Sequence, residues 1–223
     1  SKEVNAMPDS TSQLEALREV MNQLRSPGGC PWDAEQSHES LLKYLLEESY
    51  EFIEAVEEND RAAMREELGD VLLQVFFHAR MAEEHPTDPF SVEDVAKTVA
   101  EKLVRRHPHV FSDTKVSGSA EVLENWEAQK AAEKGRTSAT EGVPLGQPAL
   151  ALATKLIYRA QKYGHEIAIK HPLKLAPGTT EKELGEALLG ILDQALALDI
   201  DPESALRSAI KGYIEQIKKY EGK

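Results

Sequence analysis

The sequence predicts an all-α protein made of two tandem helical-bundle modules, the second a degenerate copy of the first. Three observations carry this. Apolar residues recur at helical spacing from Leu14 to His107, and no stretch shows the sustained two-residue alternation of β-branched residues that a sheet requires. Proline, glycine and capping residues punctuate the periodic runs at intervals suited to helices. Finally, Glu67-Leu68-Gly69-Asp70-Val71-Leu72-Leu73 is echoed by Glu183-Leu184-Gly185-Glu186-Ala187-Leu188-Leu189, and each is followed by an apolar helix, a turn and a closing helix.

Taken in order, Ser26-Pro27-Gly28-Gly29-Cys30-Pro31 ends a first helix predicted over residues 13–25. A second spans 41–58, with Leu45, Leu46, Ser49, Phe52, Ile53 and Val56 along one stripe. Asp60 is placed to cap a third over 61–84. After the turn His85-Pro86-Thr87-Asp88-Pro89, Ser91 caps a fourth that carries Glu93 and Asp94 in its first turn and runs to Arg106. Residues 112–120 and 134–148 read as loops around a helix over 121–133. The expected organisation is a first module over 13–133, a linker over 134–149 and a second module over 150–223. The second module has no Glu-Glu-x-x-Glu helix before its echo, because residues 167–180 are short and broken by prolines and a glycine, so it carries half a site.

Composition bounds the partners. The 223 residues are 41% apolar, enough to bury a core, and the net charge of −13 is spread along the chain. Such a surface repels a nucleic acid polymer, so any nucleotide partner should be small and metal-bound. The single cysteine, Cys30, excludes an internal disulfide and a cysteine-rich zinc site, as expected of a cytoplasmic protein. No run approaches the ~18 apolar residues of a membrane span, and residues 1–12 are polar, without the apolar core of a signal peptide.

The chemistry concentrates in two acidic clusters, Glu47-Glu48-Ser49-Tyr50-Glu51 and Glu67-Leu68-Gly69-Asp70. Each sets carboxylates at i and i+3, so Glu48, Glu51, Glu67 and Asp70 converge if their helices pack antiparallel. Most such pairs are solvated faces, and Glu47 and Glu51 do point away from the apolar stripe of their helix. The third helix pulls the other way. Leu68, Val71, Leu72, Val75, Phe76 and Ala79 fill one face while Leu73 and Phe77 cover the opposite one beside Asp70, which predicts burial on more than one side. A carboxylate there is costly unless paired or metal-bound. Gly69 in mid-helix costs about 1 kcal/mol relative to alanine, which suggests a close approach to the backbone. Spacing alone leaves both readings open. If a metal binds, four hard oxygen donors without histidine or cysteine favour Mg²⁺ or Mn²⁺ over zinc, and the absence of Glu-x-x-His argues against a di-iron bundle.

Lys102 to Phe111 gathers cations at the end of the fourth helix. Such cations commonly complement a helix dipole, but Lys102 and Arg106 also share a face and could clamp a polyphosphate. Trp32 reads as a core aromatic; His38, His107 and His109 read as capping or structural groups; Cys30 has no supporting base.

Five ordered blocks resemble the MazG nucleoside triphosphate pyrophosphohydrolases of the all-α nucleotide pyrophosphatase superfamily. They are Gly29-Cys30-Pro31-Trp32-Asp33 with Gln36 and His38; Leu46-Glu47-Glu48-Ser49-Tyr50-Glu51; Glu66-Glu67-Leu68-Gly69-Asp70; Lys102 to Phe111; and Glu121-Val122-Leu123-Glu124-Asn125-Trp126-Glu127. The resemblance covers residues 14–133. It implies Mg²⁺-dependent hydrolysis of a nucleoside triphosphate between the α and β phosphates, with Glu48, Glu51, Glu67 and Asp70 as metal ligands. Lys102, Arg105 and Arg106 match positions that hold the triphosphate, and Trp126 matches a tryptophan near the base, where stacking discriminates little between bases. Glu47 is the candidate for orienting or deprotonating the attacking water. The resemblance also implies a homodimer. The second copy departs from the pattern: Glu186 stands for Asp70, and Gly212, Glu215 and Gln216 for the three cations, so it should be catalytically dead and serve packing and dimerisation. The competing expectations are a nucleotide-sensing or partner-binding module with vestigial catalysis, and a pyrophosphatase confined to one substrate such as dUTP.

Overall fold

The computed structural model describes residues 12–168 and 173–223, which form two compact units, one ending at Gly118 and the other beginning at Ser119. Among the described residues there are helices and no strands. Residues 1–11 and part of the 167–180 segment lie outside the described residues.

The first unit holds α1 (Gln13–Arg25), α2 (Pro31–Glu35), α3 (His38–Glu57), α4 (Arg61–Ala82), α5 (Val92–Arg106) and α6 (Pro108–Phe111). Its centre is the α3–α4 hairpin. Asn59 turns the chain at φ 56°, a left-handed conformation that asparagine tolerates, and Asp60 then accepts the Ala62 and Ala63 amides at 3.0 Å to start α4. Because the helices run antiparallel, Leu41 near the start of α3 meets Phe77 near the end of α4, and with Met21 and Met81 these form the core. Trp32 is 48% exposed yet lies edge-on to Tyr44 and Phe77 on that core. Arg25 ties the corner: it pairs with Glu84 at 2.7 Å and donates to the Asp33 and Gln36 carbonyls at 2.6 and 3.0 Å. Gly29 is needed there, since a Cβ would sit 2.2 Å from the Gln23 carbonyl oxygen.

Several elements and boundaries differ from expectation. α2 is additional, a short turn started by Pro31 at its first position. α3 begins three residues earlier than predicted because Ser37 and Ser40 cap each other reciprocally, with serine where the sequence signature expects Glu or Gln. α4 is not buried on two sides along its whole length. Its C-terminal half, with Phe76, Phe77, Ala79, Met81 and Ala82, is buried, whereas Leu68 is 51% exposed and a Cβ at Gly69 would meet nothing. The close approach expected at Gly69 is therefore not made among the described residues.

The second unit holds α7 (Ser119–Lys134), α8 (Ala149–Lys162), α9 (Glu181–Ala197) and α10 (Pro202–Tyr220). Residues 119–133, expected to complete the first module, thus group with the second. The 134–149 segment is more than a linker, for its Ser138, Ala139 and Val143 are buried in the core made by α8 and α10. Leu152, Leu156, Ile210 and Ile214 interdigitate there. Glu203 caps α8 by accepting the Ala149 amide at 3.0 Å, and Glu221 fastens the far end by accepting from Ser138 Oγ and the Ala139 amide. α9 exposes Leu184, Leu188, Leu189, Ile191 and Leu192.

Candidate functional site

Antiparallel pairing decides which acids meet. Glu67 and Asp70 sit one turn apart on α4, and Glu48 reaches them from α3, so that one carboxylate oxygen from each of the three lies within 4.8 Å of the others. Glu51, exposed and one turn on from Glu48, borders this group and helps to raise the carboxyls of Glu48 and Glu67. Glu47 is exposed and adds its charge to the field at Glu48.

Carboxyls this close cannot all ionise without a counter-charge. Burial pushes Glu48 up to about 7, helped by its hydrogen bond with Glu51 and the charges of Asp70, Glu51 and Glu47. Glu67 is raised by burial first, then by Glu51, Asp70 and Glu66. A cation restores the ionised state of such a cluster, and the donor set fits a hard divalent ion, being carboxylate oxygen throughout. The solvated-face reading does not explain why three half-buried acids from two helices bring their carboxylates together.

The expected cations stand at the end of α5 in the same unit, in unequal settings. Arg105 is exposed, Lys102 half-buried, and Arg106 only 5% exposed; both arginines take part in interactions within the protein. Arg106 is thus a buried anchor at the helix end rather than an open arm. His107 Nδ1 contacts the Leu103 carbonyl at 2.7 Å and His38 pairs with His78 Nδ1 to Nδ1 at 2.7 Å, structural roles as expected. Trp126 is half-buried on α7, in the second unit.

One residue was not singled out from sequence. Lys130 stands four positions after Trp126 and hence on the same face of α7. Its ammonium is held below the usual lysine range by burial, an effect that Glu127 opposes and Lys155, Arg136 and Arg159 reinforce. The i, i+4 spacing from the tryptophan was the available signal.

The echo in the second unit is placed differently in its helix. Glu67 lies well inside α4, but Glu183 stands in the first turn of α9, where it accepts from the Thr180 amide at 2.7 Å while Thr180 Oγ1 accepts from its own amide. It is a capping residue, and Glu186 pairs with Lys182 at 3.2 Å.

Residues 36–111 match the sequence profile described as the MazG nucleotide pyrophosphohydrolase domain. The chain is 50% identical over 205 residues to a Streptomyces cacaoi protein named "Uncharacterized 26.1 kDa protein in blaB 3'region", covering 92% of this chain and 81% of that one. It is 42% identical over 231 residues to the "Nucleoside triphosphate pyrophosphohydrolase/pyrophosphatase MazG" of Thermotoga maritima, covering 96% and 88%. Against the "Nucleoside triphosphate pyrophosphohydrolase" of Escherichia coli K12 the identity is 33% over 232 residues, covering 94% and 88%.

Proposed function

The chain belongs to the MazG nucleotide pyrophosphohydrolase family, and from that premise we propose that it hydrolyses nucleoside triphosphates between the α and β phosphates, giving the monophosphate and pyrophosphate. The observation that carries this is the convergence of Glu48, Glu67 and Asp70 across the α3–α4 hairpin with Glu51 at their edge. These four would hold Mg²⁺, with Mn²⁺ as a substitute, for they offer only hard oxygen donors. When bound, such an ion supplies Lewis-acid polarisation of phosphate oxygens and lowers the pKa of water.

The chain's own groups do the rest. Glu47, exposed at the rim and outside the converging set, orients the attacking water and takes its proton. Lys102 and Arg105 draw the phosphates in, and Arg106 holds the end of α5 that presents them, so positive charge faces the transition state. These groups act on the phosphates, which every nucleoside triphosphate shares, and this supports broad base specificity and a role in clearing altered nucleotides or controlling a stress nucleotide in the cytoplasm. The α9 carboxylates serve as a cap and an ion pair, which supports a single catalytic unit. The substrate is thus a small nucleotide rather than a nucleic acid polymer, as the charge of −13 favours, and no helix among the described residues is long and apolar enough to cross a membrane.

The test is to incubate the protein with a panel of normal and altered nucleoside triphosphates, with Mg²⁺ and with chelator, and resolve the products by chromatography. Monophosphate and pyrophosphate appearing only with metal is the expected result, and the panel ranks the bases. Nucleotide binding without turnover would replace this reading with that of a sensor whose catalysis is vestigial.

A further inference from the structure

We propose that the second unit carries its own site for a small organic oxyanion borne on a flat ring, in the cleft between α7 and α8. The cleft has a volume of about 540 Å³, inside the ~300–1,000 Å³ typical of small-molecule sites. One wall is a shelf on α7 formed by Ala128, Ala131 and Ala132, whose short side chains leave room for a flat body; Tyr158 lines the α8 side.

The polar anchors are built in. Arg159 is 3% exposed, and its Nη1 donates to the Ala139 and Glu141 carbonyls at 3.4 and 3.0 Å. Among the described residues its Nε and the Tyr163 hydroxyl are enclosed by protein and have no hydrogen-bond partner, and both residues belong to the lining. An arginine can only donate and stays charged, so a lining that contains one favours an acceptor. Arg136 adds a second guanidinium, seated on Gly142, where a Cβ would come 2.8 Å from Nη2. Lys162 supplies a third cation, while Glu127, one of two acids in the lining, is offset by Lys155 at 3.8 Å. Positive charge therefore prevails and the acceptor is an anion.

This cleft is formed by residues of the second unit, and the acidic cluster by residues of the first. The cleft is apart from Trp126, which points about 160° away from Glu124 around α7, because each helical residue turns ~100°. Its occupancy does not depend on the hydrolysis proposed above.

The test uses the full chain carrying Asp70→Ala, in chelator, so that the acidic cluster contributes nothing. Phenyl phosphate, benzoate, inorganic phosphate and phenol are titrated by calorimetry and by amide chemical shifts. Saturable binding of phenyl phosphate or benzoate is expected, at least ~10-fold tighter than inorganic phosphate or phenol; which of the two binds better identifies the head group. Binding should weaken ~10-fold or more in Arg136→Ala with Lys162→Ala, and should vanish in Ala131→Leu, which fills the shelf without changing charge. Arg159 itself is left intact because it braces two carbonyls of the core. No saturable binding, binding equal to that of inorganic phosphate, or binding unchanged in variants that retain their helical spectrum would overturn the proposal.

Discussion

With its carboxyl held near 7 by burial and by the neighbouring acids, Glu48 couples the acidic cluster to stability. A carboxyl whose pKa is higher in the folded state than its ordinary 4.5 binds its proton more tightly when folded. The metal-free protein therefore loses stability as pH rises from about 5 to about 7, opposite to a salt-bridged carboxylate. The expected outcome is a melting temperature in chelator that falls across that range, a shallower fall in Asp70→Asn, and a gain on adding Mg²⁺ that is largest at the upper end, where the acids are ionised and ready to bind. Asp70→Ala should in addition cut pyrophosphate release by roughly 100-fold or more while leaving the circular dichroism unchanged, as loss of a ligand rather than of the fold predicts. A melting curve indifferent to pH, or full turnover by the alanine variant, would remove the metal assignment.

Elements carry their own couplings, and the clearest is the fastening of α10. Glu221 accepts from Ser138 Oγ at 2.7 Å, the Ala139 amide at 3.0 Å and His165 Nε2 at 2.8 Å, with its side chain 5% exposed. Burial acts to raise this carboxyl, but the three hydrogen bonds outweigh it and leave it below the usual range. Its contribution is present above the ordinary carboxylate pKa and is lost as pH falls through the lowered one. Glu221→Ala should destabilise the second unit by about 3 kcal/mol, because three donors lose a charged acceptor, and amide exchange of α8 and α10 should speed up while α3 and α4 are unaffected. Equal acceleration in both units would show instead that they unfold together. None of this was legible in the sequence, since Glu221 lies 83 positions from Ser138 and no local pattern joins them. What could be read was local: the Asp60 and Ser91 caps, the helical periods, and the i, i+3 acids. The reciprocal Ser37–Ser40 cap was missed because the signature expects a longer polar partner. The second copy misled in a similar way, for Glu183 repeats the chemistry of Glu67 but occupies the first turn of its helix, where a backbone amide claims it.

At the scale of the molecule, the first unit leaves a face open that a lone soluble chain would be expected to cover. Leu46, Tyr50 and Ile53 on α3 and Leu68 on α4 are 47–60% exposed, and they flank the acids of the same two helices. Scattered apolar residues on a surface are normal, but Leu46, Tyr50 and Ile53 recur at helical spacing and so share one face of α3, the pattern of an association surface. A second copy is the proposed cover. It would bury the N-terminal half of α4 on the side that the sequence pattern predicts, and would shield the carboxylates from water, strengthening their hold on a cation. Ile53→Glu places a charge in that patch without touching an acid of the cluster. Sedimentation should show the wild-type chain as a dimer and the variant as a monomer, with helical content preserved. Mg²⁺-dependent hydrolysis should then fall with the dimer fraction, rising again as protein concentration drives reassociation. A monomeric variant with undiminished turnover at every concentration would show that the hairpin of one chain suffices for catalysis, and the open face would then need another occupant.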